Sequence, residues 1–204
     1  MKYYSTMKVE IYIDNVLIKQ LDTYADEMIN DLVFKVHVLN SLKLEDILNK
    51  INNEFIRELL YYYRVAMIDD KTILVLVNMS DICFHYSEIG EGVSRIRLTS
   101  FFTIGVYEIV RAYLYVKLLR QLNLLDKVVK WLEIENYQTY EIVNKIAILP
   151  FDLFYKLEEH KVIPNGVDTI FTTFFIHLTS RISESLSIID RNINEYLGSI
   201  CRSP

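Results

Sequence analysis

Between Val93 and Leu119 apolar residues fall on nearly every face of a helix, and no other stretch constrains the fold as strongly. A helix that is hydrophobic all round has to be surrounded by other elements. The rest of the chain must therefore supply a sheath. One strand of that sheath is plain: Leu44, Leu48, Ile51, Phe55 and Leu59 recur every three to four residues, while Glu45, Asn49, Asn53 and Arg57 fall elsewhere. This pattern predicts an amphipathic helix entered through "NSLKLED", with Ser41 as N-cap. Met28, Leu32, Val36 and Leu39 have helical spacing within Thr23–Leu39. Further helices are expected over Leu124–Leu132, over Thr139–Leu149 with Pro150 as the stop, over "FDLFYKLEEHK", and from Thr169 to Ile200 after the turn "VIPNGVD".

Strand signals are fewer. "VEIYID" (Val9–Asp14) alternates apolar and polar residues, and "VLIKQL" follows Asn15, so a small hairpin is one reading and a helix over "VLIKQLDTYADEMI" the other. "KTILVLVN" (Lys71–Asn78) reads as a short strand or as a buried helix. Five glycines and three prolines in 204 residues favour helices over a sandwich or barrel. The expected fold is all-α, a helical bundle around a central hydrophobic helix, with room for a short N-terminal β-hairpin and extra C-terminal helices. It divides into an extension over 1–22, a core over 23–149 and a helical extension over 150–204.

The search for chemistry returns little. His37, His85, His160 and His177 have no partners at ligand-like spacing, and Cys83 and Cys201 give neither a disulfide framework nor a metal motif. There is no phosphate loop, dinucleotide fingerprint or nucleophile elbow. Asp69–Asp70 and Glu158–Glu159 read as solvated faces or caps. The expectation is a chain that is not an enzyme, with no cofactor, no metal and no small-molecule substrate. A net charge of −5 argues against a general nucleic-acid binder, although Arg95, Arg97, Arg111, Lys117, Arg120, Lys127 and Lys130 are opposed only by Glu108 and Asp126 between Ser94 and Lys130. The opening "MKYYSTMKVEIYID" lacks a signal-peptide core, and no window reaches the roughly 18–20 apolar residues that span a membrane.

Three segments together resemble the Bcl-2 family of apoptosis regulators. "EGVSRIRLTSFFTIG" is similar to the first homology motif of that family, D-G-V-N-W-G-R-I-V-A-F-F-x-F-G. Gly92 and Val93 stand at its G-V, Arg97 at its arginine, and Phe101, Phe102 and Gly105 at its F-F and trailing glycine. "LNKINNEF" is similar to the third motif, L-x-x-x-G-D-E/D-F, through Leu48, Ile51, Glu54 and Phe55. "WLEIENYQTYEIV" is similar to the second, with Trp131 at its leading position. The segments occur in the family's order over roughly Met28–Ile148. Ser94, Arg95 and Ile96 replace the family's N-W-G, and Asn52–Asn53 its G-D.

The resemblance implies a divergent viral, poxvirus-like member that inhibits apoptosis by sequestering pro-apoptotic BH-motif helices of host Bcl-2 proteins. The implied groove comprises Leu48, Ile51, Phe55, Gly92, Val93, Ile96, Arg97 and Phe101, with Arg97 meeting an aspartate of the ligand. The implied location is the host-cell cytoplasm, including the mitochondrial surface, with membrane contact but no transmembrane anchor. Ile96 at the position of a glycine leaves open an adaptor of the same fold that blocks innate immune signalling without binding such peptides. A helical nucleic-acid-binding or virion protein, and an enzyme with a mixed α/β fold around "VEIYID" and "KTILVLVN", are the further alternatives.

Overall fold

The computed structural model describes residues 5–80, 99–135, 138–150, 152–177 and 191. The fold is mixed α/β, not an all-α bundle. Strands β1 (Ser5–Ile13), β2 (Val16–Ala25), β3 (Val33–Leu39), β4 (Val65–Met67) and β5 (Thr72–Asn78) form one sheet in the order β2-β1-β3-β5-β4. β1 and β2 are an antiparallel hairpin, β1, β3 and β5 run parallel, and β4 returns antiparallel to β5. The helices are α1 (Ser41–Asn49), α2 (Glu54–Tyr63), α3 (Thr99–Gln121), α4 (Leu125–Trp131), α5 (Thr139–Ala147), α6 (Leu153–Glu159) and α7 over 167–177.

The hairpin read from Val9–Asp14 is present and extends further in both directions. Asp14 and Asn15 form its two-residue turn with φ of 50° and 67°. Both angles are left-handed, as a turn matched to strand twist requires, and Asp and Asn tolerate them better than other non-glycine residues. Met7, Val9 and Ile11 point to one face and are buried, whereas Lys8, Glu10 and Tyr12 point to the other.

The helix expected over Thr23–Leu39 is overturned: this segment is the end of β2, a turn and β3. The four residues at helical spacing coincided with a second pattern, Phe34, Val36 and Val38 buried in alternation with half-buried Lys35 and His37. Period two prevails because β1 and β5 flank β3 and hydrogen-bond to it on both sides. "TILVLVN" is apolar throughout because β5 is buried on both faces, Ile73, Val75 and Val77 on one and Leu74 and Leu76 on the other. Scarce glycine and proline argue against many tight turns, not against strands. Here the parallel strands β3 and β5 are joined through α1, α2 and β4.

The sheet divides two hydrophobic cores. On one face Val9, Ile11, Val36, Ile73 and Val75 pack with Val106, Val110, Leu114 and Val116 of α3 and with α4 to α7. The ring of Tyr115 is stacked between Phe154 of α6 and Phe171 of α7. On the other face Leu39, Ala66, Leu74 and Leu76 pack with Leu44 and Leu48 of α1 and Ile56, Leu59 and Leu60 of α2. The all-round apolar helix is thus a core helix, as its pattern predicts. It lies against a sheet rather than at the axis of a bundle. The turn between β2 and β3 is fastened to it: Lys117 Nζ donates to Asp31 Oδ1 and to the Met28 carbonyl, each at 2.9 Å, and the Tyr113 hydroxyl donates to Asp31 Oδ2 at 2.9 Å.

Candidate functional site

Among the described residues, neither the sheet nor another helix covers the surface at which the second core ends. The N-cap of α1 is Asn40, not Ser41: Asn40 Oδ1 accepts from the Lys43 amide at 3.0 Å. α2 is capped by Asn53, whose Oδ1 accepts from the Ile56 amide at 3.1 Å while its Nδ2 donates to Glu141 Oε1 of α5 at 3.1 Å. These caps satisfy helix-start amides that would otherwise lack partners. With Ile56, Leu59 and Leu60 turned to the core, Arg57, Glu58, Tyr61 and Tyr62 face outward.

Between the helices is a hollow of about 360 Å³ lined by Glu45, Leu48 and Asn49 of α1 and by Arg57, Glu58, Tyr61 and Tyr62 of α2. The Tyr61 and Tyr62 rings meet edge to face, their centroids 5.1 Å apart. Arg64 closes α2 in the left-handed region at φ 61°, and its guanidinium carbon lies 5.9 Å from the centre of the Tyr61 ring. Arg64 Nη1 is buried with no hydrogen-bond partner among the described residues. Tyr61, Tyr62 and Tyr63 are 57%, 73% and 56% exposed, and Leu42 of α1 is 77% exposed. Each large aromatic ring left in water forgoes the burial of some 150–250 Å².

Three of the eight residues expected to line a groove do meet. Leu48, Ile51 and Phe55 all belong to the α1–α2 core, Leu48 buried and the other two half-buried. Leu48 borders the hollow, whereas Phe55 is overlaid by Lys145 Nζ, 5.0 Å from its ring centre. Gly92, Val93, Ile96 and Arg97 lie outside the described residues. Phe101 belongs to α3, which packs on the opposite face of the sheet from α1 and α2. None of the residues that line the α1–α2 hollow belongs to α3. Trp131 is half-exposed at the end of α4, 5.8 Å from the ring of His160.

The tyrosine run Tyr61–Tyr63 is the sequence signal of this surface. Three consecutive residues span about 200° of a helix, wider than the apolar stripe of an amphipathic one. "YYY" at the end of a helix already supplied with Ile56, Leu59 and Leu60 therefore has to present aromatic surface to solvent.

A second polar cluster lies on the half of the sheet that α1 and α2 leave open. The Tyr12 hydroxyl donates to Glu10 Oε2 at 2.7 Å, and this hydrogen bond, with burial, pushes its pKa up to about 12. The His37 ring stacks on Tyr12 with centroids 4.3 Å apart, and burial followed by nearby Lys35 holds its pKa below the ordinary value. Lys35 pairs with Glu10 at 3.6 Å. Glu10 and Lys35, like Tyr12 and His37, are direct cross-strand neighbours of β1 and β3, so register alone brings them together. Asp14 Oδ1 and Lys43 Nζ tie the hairpin to α1 at 3.3 Å, as an ion pair rather than an aligned hydrogen bond.

Among the described residues no group of three His, Cys, Asp or Glu side chains is placed to hold a metal ion, and no helix is long and apolar enough to cross a membrane. Compared with protein families, curated proteins and solved structures, the chain matches none of them.

Proposed function

We propose that the chain is a binding module whose α1–α2 surface receives an amphipathic helix from another protein. The observation that carries this reading is the exposure of Tyr61 and Tyr62 on the wall of a hollow that Leu48 also lines. Tyrosine is enriched at protein interfaces because its ring buries much apolar area at small entropic cost while its hydroxyl stays solvated. The hollow has room for one or two anchoring side chains of a helix that repeats them every three to four residues. Glu45 and Glu58 at its rim outnumber Arg57, which already pairs with Glu54 at 3.9 Å. The complementary helix carries a basic residue beside its apolar anchors.

Sequestration of pro-apoptotic BH-motif helices, implied by the Bcl-2 resemblance, is one form of this reading. It loses the support of that family's fold, and it needs the α1–α2 surface to act in place of a groove beside the central helix. The test is a fluorescence-polarisation panel of labelled amphipathic peptides, BH-motif helices and basic-flanked apolar helices among them, against the full chain. Binding that competes with unlabelled peptide and is lost in Tyr61→Ala/Tyr62→Ala supports the proposal. Binding that survives this double substitution, or no saturable binding up to several hundred micromolar, overturns it.

A further inference from the structure

A separate cavity opens beyond the edge of the sheet, where α2, β4, α3 and the end of α5 converge. Its volume is about 250 Å³, and its walls include Leu59, Val65, Ile109, Ala147 and Pro150. Besides Tyr63, two features break the apolar lining. Glu108 of α3 reaches it, and so does the C-terminal end of α5 at Ala147, Ile148 and Leu149. Arg111, 2% exposed, fixes Glu108 from behind: Nε donates to Oε2 at 2.9 Å, and Nη2 donates to the same oxygen. Both bonds fall on Oε2, so Oε1 keeps its capacity for a further donor. The α5 helix ends at the same wall, with its Ile146 carbonyl accepting from the Ile148 and Leu149 amides, and it places the negative end of its dipole there.

We propose that this cavity binds a small apolar molecule bearing a protonated amine, with the ammonium on Glu108 Oε1 and the α5 terminus and the apolar body against Leu59, Val65 and Ile109. Size limits the ligand to about one ring. The cavity exceeds the ~150 Å³ of an engineered void that takes up benzene, and it falls short of the ~300 Å³ at which sites for drug-sized ligands begin. Charge fixes the sign. A carboxylate would face Glu108 and the negative end of a helix dipole, whereas an ammonium gains a charge-assisted hydrogen bond from Glu108 and a favourable dipole.

The experiment uses the full chain and three probes of matched shape: 2-phenylethylamine, 2-phenylethanol and phenylacetate, titrated by ligand-observed NMR and calorimetry. The amine is expected to bind about tenfold tighter than the alcohol, and the carboxylate to bind worst. Glu108→Gln should abolish the preference for amine over alcohol. Because that variant removes the partner of buried Arg111, Ala147→Leu on the facing wall is the second variant, and it should weaken amine and alcohol together by at least tenfold. Equal binding of amine and carboxylate, or amine binding that neither variant alters, overturns the proposal.

Discussion

The side-chain amide of Asn144 pairs with both main-chain groups of Met67: Nδ2 donates to the Met67 carbonyl at 2.7 Å, and Oδ1 accepts from the Met67 amide at 2.9 Å. Asn144 is fully buried in α5, and Met67 ends the edge strand β4. The amide stands where the next strand of the sheet would be. It thereby closes an edge that would otherwise bury two unpaired backbone groups.

Replacing Asn144 with Leu keeps the volume and removes both bonds. Each orphaned group costs about 1–3 kcal/mol when buried, so the loss is expected at about 2–5 kcal/mol in urea denaturation. A loss below about 1 kcal/mol would mean that water reaches the β4 edge and the pairing is dispensable.

Gly105 lets α3 approach β4. A Cβ at this position would run into Val65 Cγ1 and stand 3.3 Å from the Tyr63 carbonyl oxygen. Alanine is otherwise favoured in a helix interior by about 1 kcal/mol over glycine. Gly105→Ala should nevertheless destabilise by about 1–3 kcal/mol, because a β-branched neighbour has no free rotamer into which to retreat. The check is a double-mutant cycle with Val65→Ala. Most of the penalty should vanish when Val65 is also shortened, and a fully additive cycle would place the strain elsewhere.

Much of this architecture is legible in the sequence, but unevenly. The all-round apolar stretch identifies α3 as a core helix because burial on every side leaves no polar stripe. Leu44, Leu48, Ile51, Phe55 and Leu59 read as one amphipathic helix; their shared face does pack on the sheet, but the helix is broken at 50–53 into α1 and α2. β3 is not legible, since Met28, Leu32, Val36 and Leu39 satisfy a helical spacing, and only pairing with β1 and β5, distant in sequence, selects the strand. β5 reads equally as strand or buried helix because burial on both faces erases alternation. The candidate site divides the same way. Leu48, Ile51 and Phe55 are close in sequence and meet at the junction of α1 and α2, Ile51 lying in the connection between the two helices. That the core of α3 packs on the other face of the sheet from α1 depends on strand pairing, which no local pattern contains.

The Asp31–Lys117 pair makes stability depend on acid. Burial would raise the Asp31 pKa, but hydrogen bonds from Lys117 and Tyr113 outweigh it and hold the carboxyl below its ordinary 3.8. A carboxyl whose folded pKa is depressed stabilises the fold above the unfolded value, and that stabilisation is lost as pH falls through the folded one. The stability difference between the native chain and Lys117→Met should therefore be widest near pH 6 and shrink toward pH 3. The Tyr113 hydroxyl, pushed up by burial and by Asp31, stays a donor throughout. The check is urea denaturation of both proteins at half-unit pH steps, and a difference that is flat or grows on acidification would refute the linkage.

The tyrosine surface separates binding from folding. Tyr61 and Tyr62 are 57% and 73% exposed, whereas Leu60 between them and the core is fully buried. Exposed substitutions away from caps and networks change stability by about 0.5 kcal/mol or less, while loss of a buried leucine costs about 2–5 kcal/mol. Tyr61→Ala and Tyr62→Ala should thus unfold at nearly the native denaturant midpoint, and Leu60→Ala far below it. If the α1–α2 surface docks a helix, at least one tyrosine is an anchor whose removal costs ~2 kcal/mol or more of binding, near thirtyfold in affinity. A matched pair of measurements, midpoint and peptide affinity on the same samples, decides the matter. Tyrosine variants that lose stability but keep affinity would assign these rings to the fold, and the docking surface would have to lie elsewhere.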